Sequence, residues 1–193
     1  MTGVQTCALP IYLANAFLSR WLSATRDYSG LALLPLHVSM RAAVRAIPAA
    51  GDPGADPPAA ERLAFAEAAL APRPAPPLVA VGGPSGAGKS TLARAVAPGI
   101  GAPPGAVILR SDVARKRLFG VAPEAALPPE AYAPEATARV YARLLKDAGR
   151  ALGAGFPAIL DATFLAPAER AAAADLARRR GARFVGLWLA APE

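Results

Sequence analysis

The rhythm of apolar and polar positions changes near residue 78. Before it, Tyr12–Ala24 and Leu31–Ile47 repeat apolar residues at helical spacing, with Arg20, Arg41 and Arg45 on polar faces. Asp27-Tyr28-Ser29-Gly30 reads as a turn between them. Pro48–Ala60 holds four prolines, two glycines and no large apolar residue, which predicts a linker or an exposed loop. Glu61–Leu70 is a short alanine-rich helix, and Ala71–Pro77 is again proline-rich. From Leu78 onward short apolar runs alternate with helical stretches. Strands are predicted at Leu78–Val81, Ala106–Leu109, Ala158–Leu160 and Phe184–Leu189, the last as a buried strand. Helices are predicted at Ser90–Ala97, from Ser111-Asp112, at Ala136–Leu152 and at Pro167–Arg180, with Val121–Pro134 as a surface loop. Strands alternating with helices imply a parallel α/β sheet.

Composition narrows the class. The chain has 193 residues and a formal charge of +7, from 21 Lys+Arg against 14 Asp+Glu. Eighteen of the basic residues are Arg and 50 residues are Ala, so the 54% hydrophobic content drops to about 28% without alanine. Arginine and alanine excess with three lysines is what GC-rich coding produces, so the basic charge has a compositional origin first. Charges recur along the chain, and no apolar run of ~20 residues is expected away from the N-terminus. Residues 1–19 carry no charge, but they lack a basic leading segment, and Thr2, Gln5, Thr6, Pro10 and Asn15 interrupt them, against a signal peptide. One cysteine excludes a disulfide framework and a cysteine-based zinc site. A cytoplasmic protein without membrane contact is the expectation.

Gly83-Pro84-Ser85-Gly86-Ala87-Gly88-Lys89-Ser90 satisfies G-x-x-x-x-G-K-[ST] at every defined position, after a strand and before a helix. The glycines let the backbone wrap a polyphosphate with its N–H groups pointing inward. The helix that follows aims its positive end at the same anion. Lys89 can reach the β- and γ-phosphates of ATP, the Ser90 hydroxyl can ligate Mg²⁺, and Thr91 lies near the α-phosphate.

The loop leaves the chemistry open, and the ends of the next strands address it. Asp112 and Arg115 lie past the second strand, one helical turn apart, on a face that can point at the γ-phosphate. A carboxylate there can accept a hydroxyl proton, and an arginine can steady developing charge. The same residues also fit an N-cap and its solvated neighbour. Asp161 closes the third apolar run, the pattern of a carboxylate held near Mg²⁺, although it also suits a turn cap. Thr163 follows and could contact phosphate or acceptor. Arg178-Arg179-Arg180 suits a helix C-terminus, His37 a packing position, and Trp21, Trp188, Tyr132 and Tyr141 filler.

Gly83–Ser90, Ser111-Asp112-x-x-Arg115, Asp161-Ala162-Thr163-Phe164 and the helix with Glu169-Arg170 together resemble the P-loop kinases that include polynucleotide 5′-kinases, chloramphenicol phosphotransferase, gluconate kinase and zeta toxins. They look most like bacterial ATP-binding proteins of the AAA_33 type, over residues 78–193. The resemblance implies a P-loop NTPase fold with a parallel sheet flanked by helices, preceded by a short all-helical segment. It also implies Asp112 as general base, with Arg115 assisting the acceptor. Asp27–Leu36 and Arg41–Ala46 are similar to the last helices of an aminoglycoside-phosphotransferase-like domain, so residues 12–47 are expected to be its tail and 48–77 a linker with a short helix. Met1–Ile11, MTGVQTCALPI, is similar to the translation of a sequencing-library adapter, which makes residues 1–11 an expected artefact. The kinase domain is expected to be truncated before its arginine-bearing lid, with weak ATP binding and poor transfer as the consequence.

The expected function is transfer of the ATP γ-phosphate to a hydroxyl of a small molecule. A nucleic acid is a less favoured acceptor. The alternative is an ATP-binding or ATP-hydrolysing regulatory module serving a fused upstream domain.

Overall fold

The structure, a computed structural model, describes residues 5–190. Residues 1–4, part of the segment expected to derive from an adapter, lie outside the described residues, as do 191–193. The chain divides into two compact units: one runs through Tyr28 and resumes at Ala75, the other is Ser29–Pro74.

In the second unit a 3-10 turn at Gly30–Leu33 leads into α2 (Leu34–Ala50), and α3 (Ala59–Leu70) packs against α2. Pro35 sits in the first turn of α2, where a missing N–H leaves no helix bond unmade. Gly30–Ala50 is long and apolar enough, by length and composition alone, to cross a membrane, with mean hydropathy 1.2. The charge pattern did not predict such a stretch. The reason is that alanines and leucines flanking Arg41 and Arg45 outweigh these two cations in the average.

The first unit holds α1 (Gln5–Thr25), β1 (Leu78–Gly82), α4 (Lys89–Val96), β2 (Val107–Arg110), α5 (Ser111–Leu118), α6 (Pro134–Gly153), β3 (Ala158–Asp161), α7 (Pro167–Arg179) and β4 (Phe184–Trp188). The strands form one sheet in the order β2-β3-β1-β4, every pairing parallel. This is the α/β sheet that the alternation predicts. β1 and β3 are buried along their whole length, as central strands covered on both faces must be. Val79, Val81, Ile108 and Ile159 pack with Ala93 of α4 and with Ala97, just past its end. On the helical stripe of α6, Val140, Leu144, Ala148 and Ala151 are buried.

Two details refine the sequence reading. β4 is not a buried strand: Leu187 is 38% and Trp188 54% exposed. It hydrogen-bonds only β1 and forms the outer edge of the described sheet, so one flank faces solvent. At the opposite edge α1 is fastened by a polar clasp to the segment that leads into β2. The buried Asn15 Nδ2 donates to the carbonyls of Pro104 and Ala106, each at 2.9 Å.

Candidate active site

The parallel sheet sends all its C-terminal ends to one edge, where ligands bind in open α/β folds. The pairing register sets Val81, Asp161 and Arg110 side by side there. The chain leaves β1 through the loop 83–88. Gly83, Gly86 and Gly88 take φ of +142°, +83° and +83°, conformations that L side chains rarely adopt. A Cβ on Gly83 would stand 2.4 Å from the Leu189 carbonyl oxygen. Gly88 caps α4 from the left-handed region, and α4 opens with Lys89. The two remaining glycines have open space around them, so their conformation, not crowding, requires glycine.

Lys89 curls back over the loop and its Nζ donates to the Pro84 carbonyl at 2.5 Å. Pro84, Ser85 and Gly86 are exposed at the loop's crest, with Ala87 half-buried behind them. Ser90 Oγ donates to Asp161 Oδ2 at 2.5 Å across 71 residues of sequence. Arg110 Nε stands 3.4 Å from the same oxygen, close enough for charge pairing but without the alignment of a hydrogen bond. Asp161 is a buried carboxylate, and burying a charge is tolerated because a hydroxyl and a guanidinium meet it. Thr91, one residue further along α4, is exposed.

The β3 exit is built as carefully as the loop. Gly83 N donates to the Thr163 carbonyl at 3.1 Å, joining the two turns. Phe164 has φ of +52° and is held there by three groups. Its N–H donates to Tyr141 Oη at 2.9 Å, and its carbonyl accepts from Arg170 Nη1 at 2.6 Å. Its ring meets the Tyr141 ring edge-on at a 5.4 Å centroid distance. Tyr141 Oη also lies 3.4 Å from Thr163 Oγ1, and burial pushes the phenol pKa up. Glu169 Oε2 accepts from the Ala166 N–H at 3.2 Å and starts α7.

The structure therefore brings Lys89, Ser90 and Asp161 together with the loop 83–88. Asp112 and Arg115, both on α5, meet different partners. Asp112 is half-exposed, 3.9 Å from Lys116 Nζ on its own helix. Arg115 is buried: its Nη1 donates to the Ala131 carbonyl and, at 3.2 Å, to Thr137 Oγ1, and its guanidinium lies 5.1 Å over the Tyr132 ring. Three residues escaped the sequence reading. Arg110 ends β2 in line with Asp161, and an arginine closing an apolar run was the available signal. Tyr141 looks like filler in the sequence, but a tyrosine on a buried helical stripe must find a partner for its hydroxyl. Tyr132 serves as the platform under Arg115.

Removing the Tyr141 hydroxyl leaves the buried Phe164 N–H without an acceptor. Tyr141→Phe is expected to lower unfolding stability by about 1–3 kcal/mol, read by urea denaturation, and an unchanged midpoint would show that water replaces the phenol.

A glycine loop after the central strand, its lysine, and a hydroxyl–carboxylate pair at the sheet's C-terminal edge define a P-loop nucleotide-binding domain of the parallel α/β class. Within that class, the chain belongs to the AAA_33 family (AAA domain), which matches residues 78–193. Among solved structures it is similar to a mutant of the APS kinase of Mycobacterium tuberculosis, with 23% identity over 62% of this chain and 78% of that chain, and a TM-score of 0.47. No curated protein matches the chain.

Proposed function

We propose that residues 78–193 transfer the γ-phosphate of ATP to a hydroxyl group of a small molecule, with a nucleic-acid hydroxyl as the less favoured acceptor. The convergence of Lys89, Ser90 and Asp161 at one strand edge supports this reading most strongly. The loop amides of Gly83 to Gly88 and the first turn of α4 hold the phosphates, with Thr91 beside the α-phosphate. Lys89 exchanges its neutral Pro84 partner for a phosphate oxygen. Ser90 Oγ and Asp161 Oδ2 are hard oxygen donors of the kind Mg²⁺ takes, and they fit it. The ion would neutralise charge on the phosphates. No group of three His, Cys, Asp or Glu side chains lies together among the described residues, so phosphate and water oxygens would fill the remaining positions.

Asp112 is assigned as general base. It starts a helix at the end of β2, and its exposure leaves it accessible to an acceptor. Arg115 is assigned to assisting the acceptor by positioning: its bonds to Ala131 and Thr137 tie α5 to the segment 131–137. The resemblance of residues 12–47 to the tail of an aminoglycoside-phosphotransferase-like domain supports a fusion partner upstream in the parent protein. Supplies of ATP and Mg²⁺ favour work in the cytoplasm.

Asp112→Asn tests the assignment. Transfer of label from γ-labelled ATP to a panel of sugar, nucleoside and oligonucleotide hydroxyls is expected to fall about 10²-fold or more, with ATP affinity unchanged. An unchanged, acceptor-independent ATP hydrolysis rate would instead favour a regulatory module.

A further inference from the structure

A cation-rich cavity has none of the residues 83–90 in its lining. It has a volume of about 510 Å³ and sits between the end of α1, the β2–α5 segment and α6. Arg26, Arg110, Arg117, Arg139, Arg143 and Lys146 line it, against one carboxylate, Asp147. That carboxylate is already taken: it pairs with Arg143 at 2.7 Å and with Arg150 at 3.4 Å. Arg110 is drawn to Asp161. Four cations of the lining, Arg26, Arg117, Arg139 and Lys146, make no ion pair among the described residues.

Holding like charges around one hollow is unfavourable unless something opposite is bound there. The strain shows on Arg117, whose pKa is lowered first by burial and then by the charge of Arg26. The backbone contributes as well. Arg26 adopts φ of +61°, and the turn is held by Arg26 N–H donating to Leu22 O and Tyr28 N–H donating to Arg26 O, each at 2.9 Å. A non-glycine residue in this region is strained and persists where its surroundings enforce it. Here the turn places both Arg26 and the buried Tyr28 on the lining. Burial, and next the charge of Asp147, push the Tyr28 phenol up to about 12, so it remains a neutral O–H group among cations.

We propose that this cavity binds a compact polyvalent oxyanion, a phosphorylated small molecule, at a site separate from the phosphate-binding loop. Guanidinium forks, contributed here by three segments of the chain, match tetrahedral oxyanions in pairs of hydrogen bonds, which lysines alone would not do. The cavity is a hollow of ligand size, so a small molecule suits it better than a nucleic-acid strand, which follows an extended groove. The cavity borders the candidate active site through Arg110, but no residue of the loop 83–90 lines it, so loss of the loop lysine and loss of the cavity arginines are distinguishable.

The test is calorimetric titration of the full chain with inorganic tripolyphosphate in magnesium-free buffer. Lys89→Ala, which cripples the loop, is expected to keep the affinity of this site within about twofold. Arg117→Ser/Arg139→Ser is expected to weaken it at least tenfold, and Arg139→Ser alone, at an exposed position, several-fold. Circular dichroism checks that each variant is folded. Arg178→Ser/Arg179→Ser removes the same charge from α7 and is expected to change nothing. Binding lost in Lys89→Ala and kept in the Arg117 and Arg139 variants overturns the proposal. So does an equal loss in the α7 variant, an absence of binding, or a single-stranded oligonucleotide displacing tripolyphosphate in an Arg117- and Arg139-dependent way.

Discussion

Lys89→Ala is expected to reduce phosphoryl transfer by about 10²–10³-fold and to weaken ATP binding, with the melting temperature nearly unchanged. The geometry explains both halves. The Lys89 ammonium rests on one neutral carbonyl, that of Pro84, at an exposed position. Its charge has no carboxylate to answer it among the described residues, so a phosphate can take it without an ion pair being broken. The same poverty of contacts means that little folding stability depends on it. Titration with a fluorescent ATP analogue and a transfer assay read the two quantities separately. Full transfer by the alanine variant would remove the loop from the chemistry.

Gly83→Ala is expected to have the largest effect on folding of any change at the site. Its Cβ would stand 2.4 Å from the Leu189 carbonyl oxygen and 3.3 Å from the Leu189 Cβ. The φ of +142° is itself closed to alanine at little cost. Loop and sheet are joined here, since Leu189 N–H donates to the Gly82 carbonyl at 2.9 Å and Gly83 N–H to Thr163. Relief of the clash must therefore move β4 or the loop. A loss of about 3 kcal/mol is expected, which in a chain of this size lowers the melting temperature by about 6–12 °C. Gly86→Ala is the informative comparison. Nothing lies within 4 Å of its Cβ position, so only the backbone penalty applies and the loss should be about 1–2 kcal/mol. Equal losses at the two positions would mean that Leu189 yields freely.

Much of this architecture is legible in the amino-acid order. The alternation after Leu78 predicted four strands and the helices between them. The buried stripe of α6 is visible as Val140, Leu144 and Ala148. Local signals of this kind survive because they depend on residues a few positions apart. The loop 83–90 was readable for the same reason: its residues are contiguous, and each has a conformational or chemical role of its own.

Other features needed partners far along the chain. Phe184–Leu189 reads as buried from hydropathy, yet its exposure depends on which strands flank it. Arg115 looks, from spacing, like a companion of Asp112, but Ala131, Tyr132 and Thr137 claim it. Tyr141 acquires its part only where α6 crosses the exit of β3.

The amino-acid order alone predicted the P-loop α/β domain that the fold and the family bear out, and it singled out the loop 83–90, Asp112 and Asp161 as candidates. Folding decided how these carboxylates are met. It joined Ser90 to Asp161 across 71 residues and set Arg110 beside them through the β2–β3 register. It also gathered Arg26, Arg117, Arg139 and Lys146 around one hollow. Charges scattered by composition carry no meaning in a linear chain, because interaction energy depends on distance and burial, which only packing supplies.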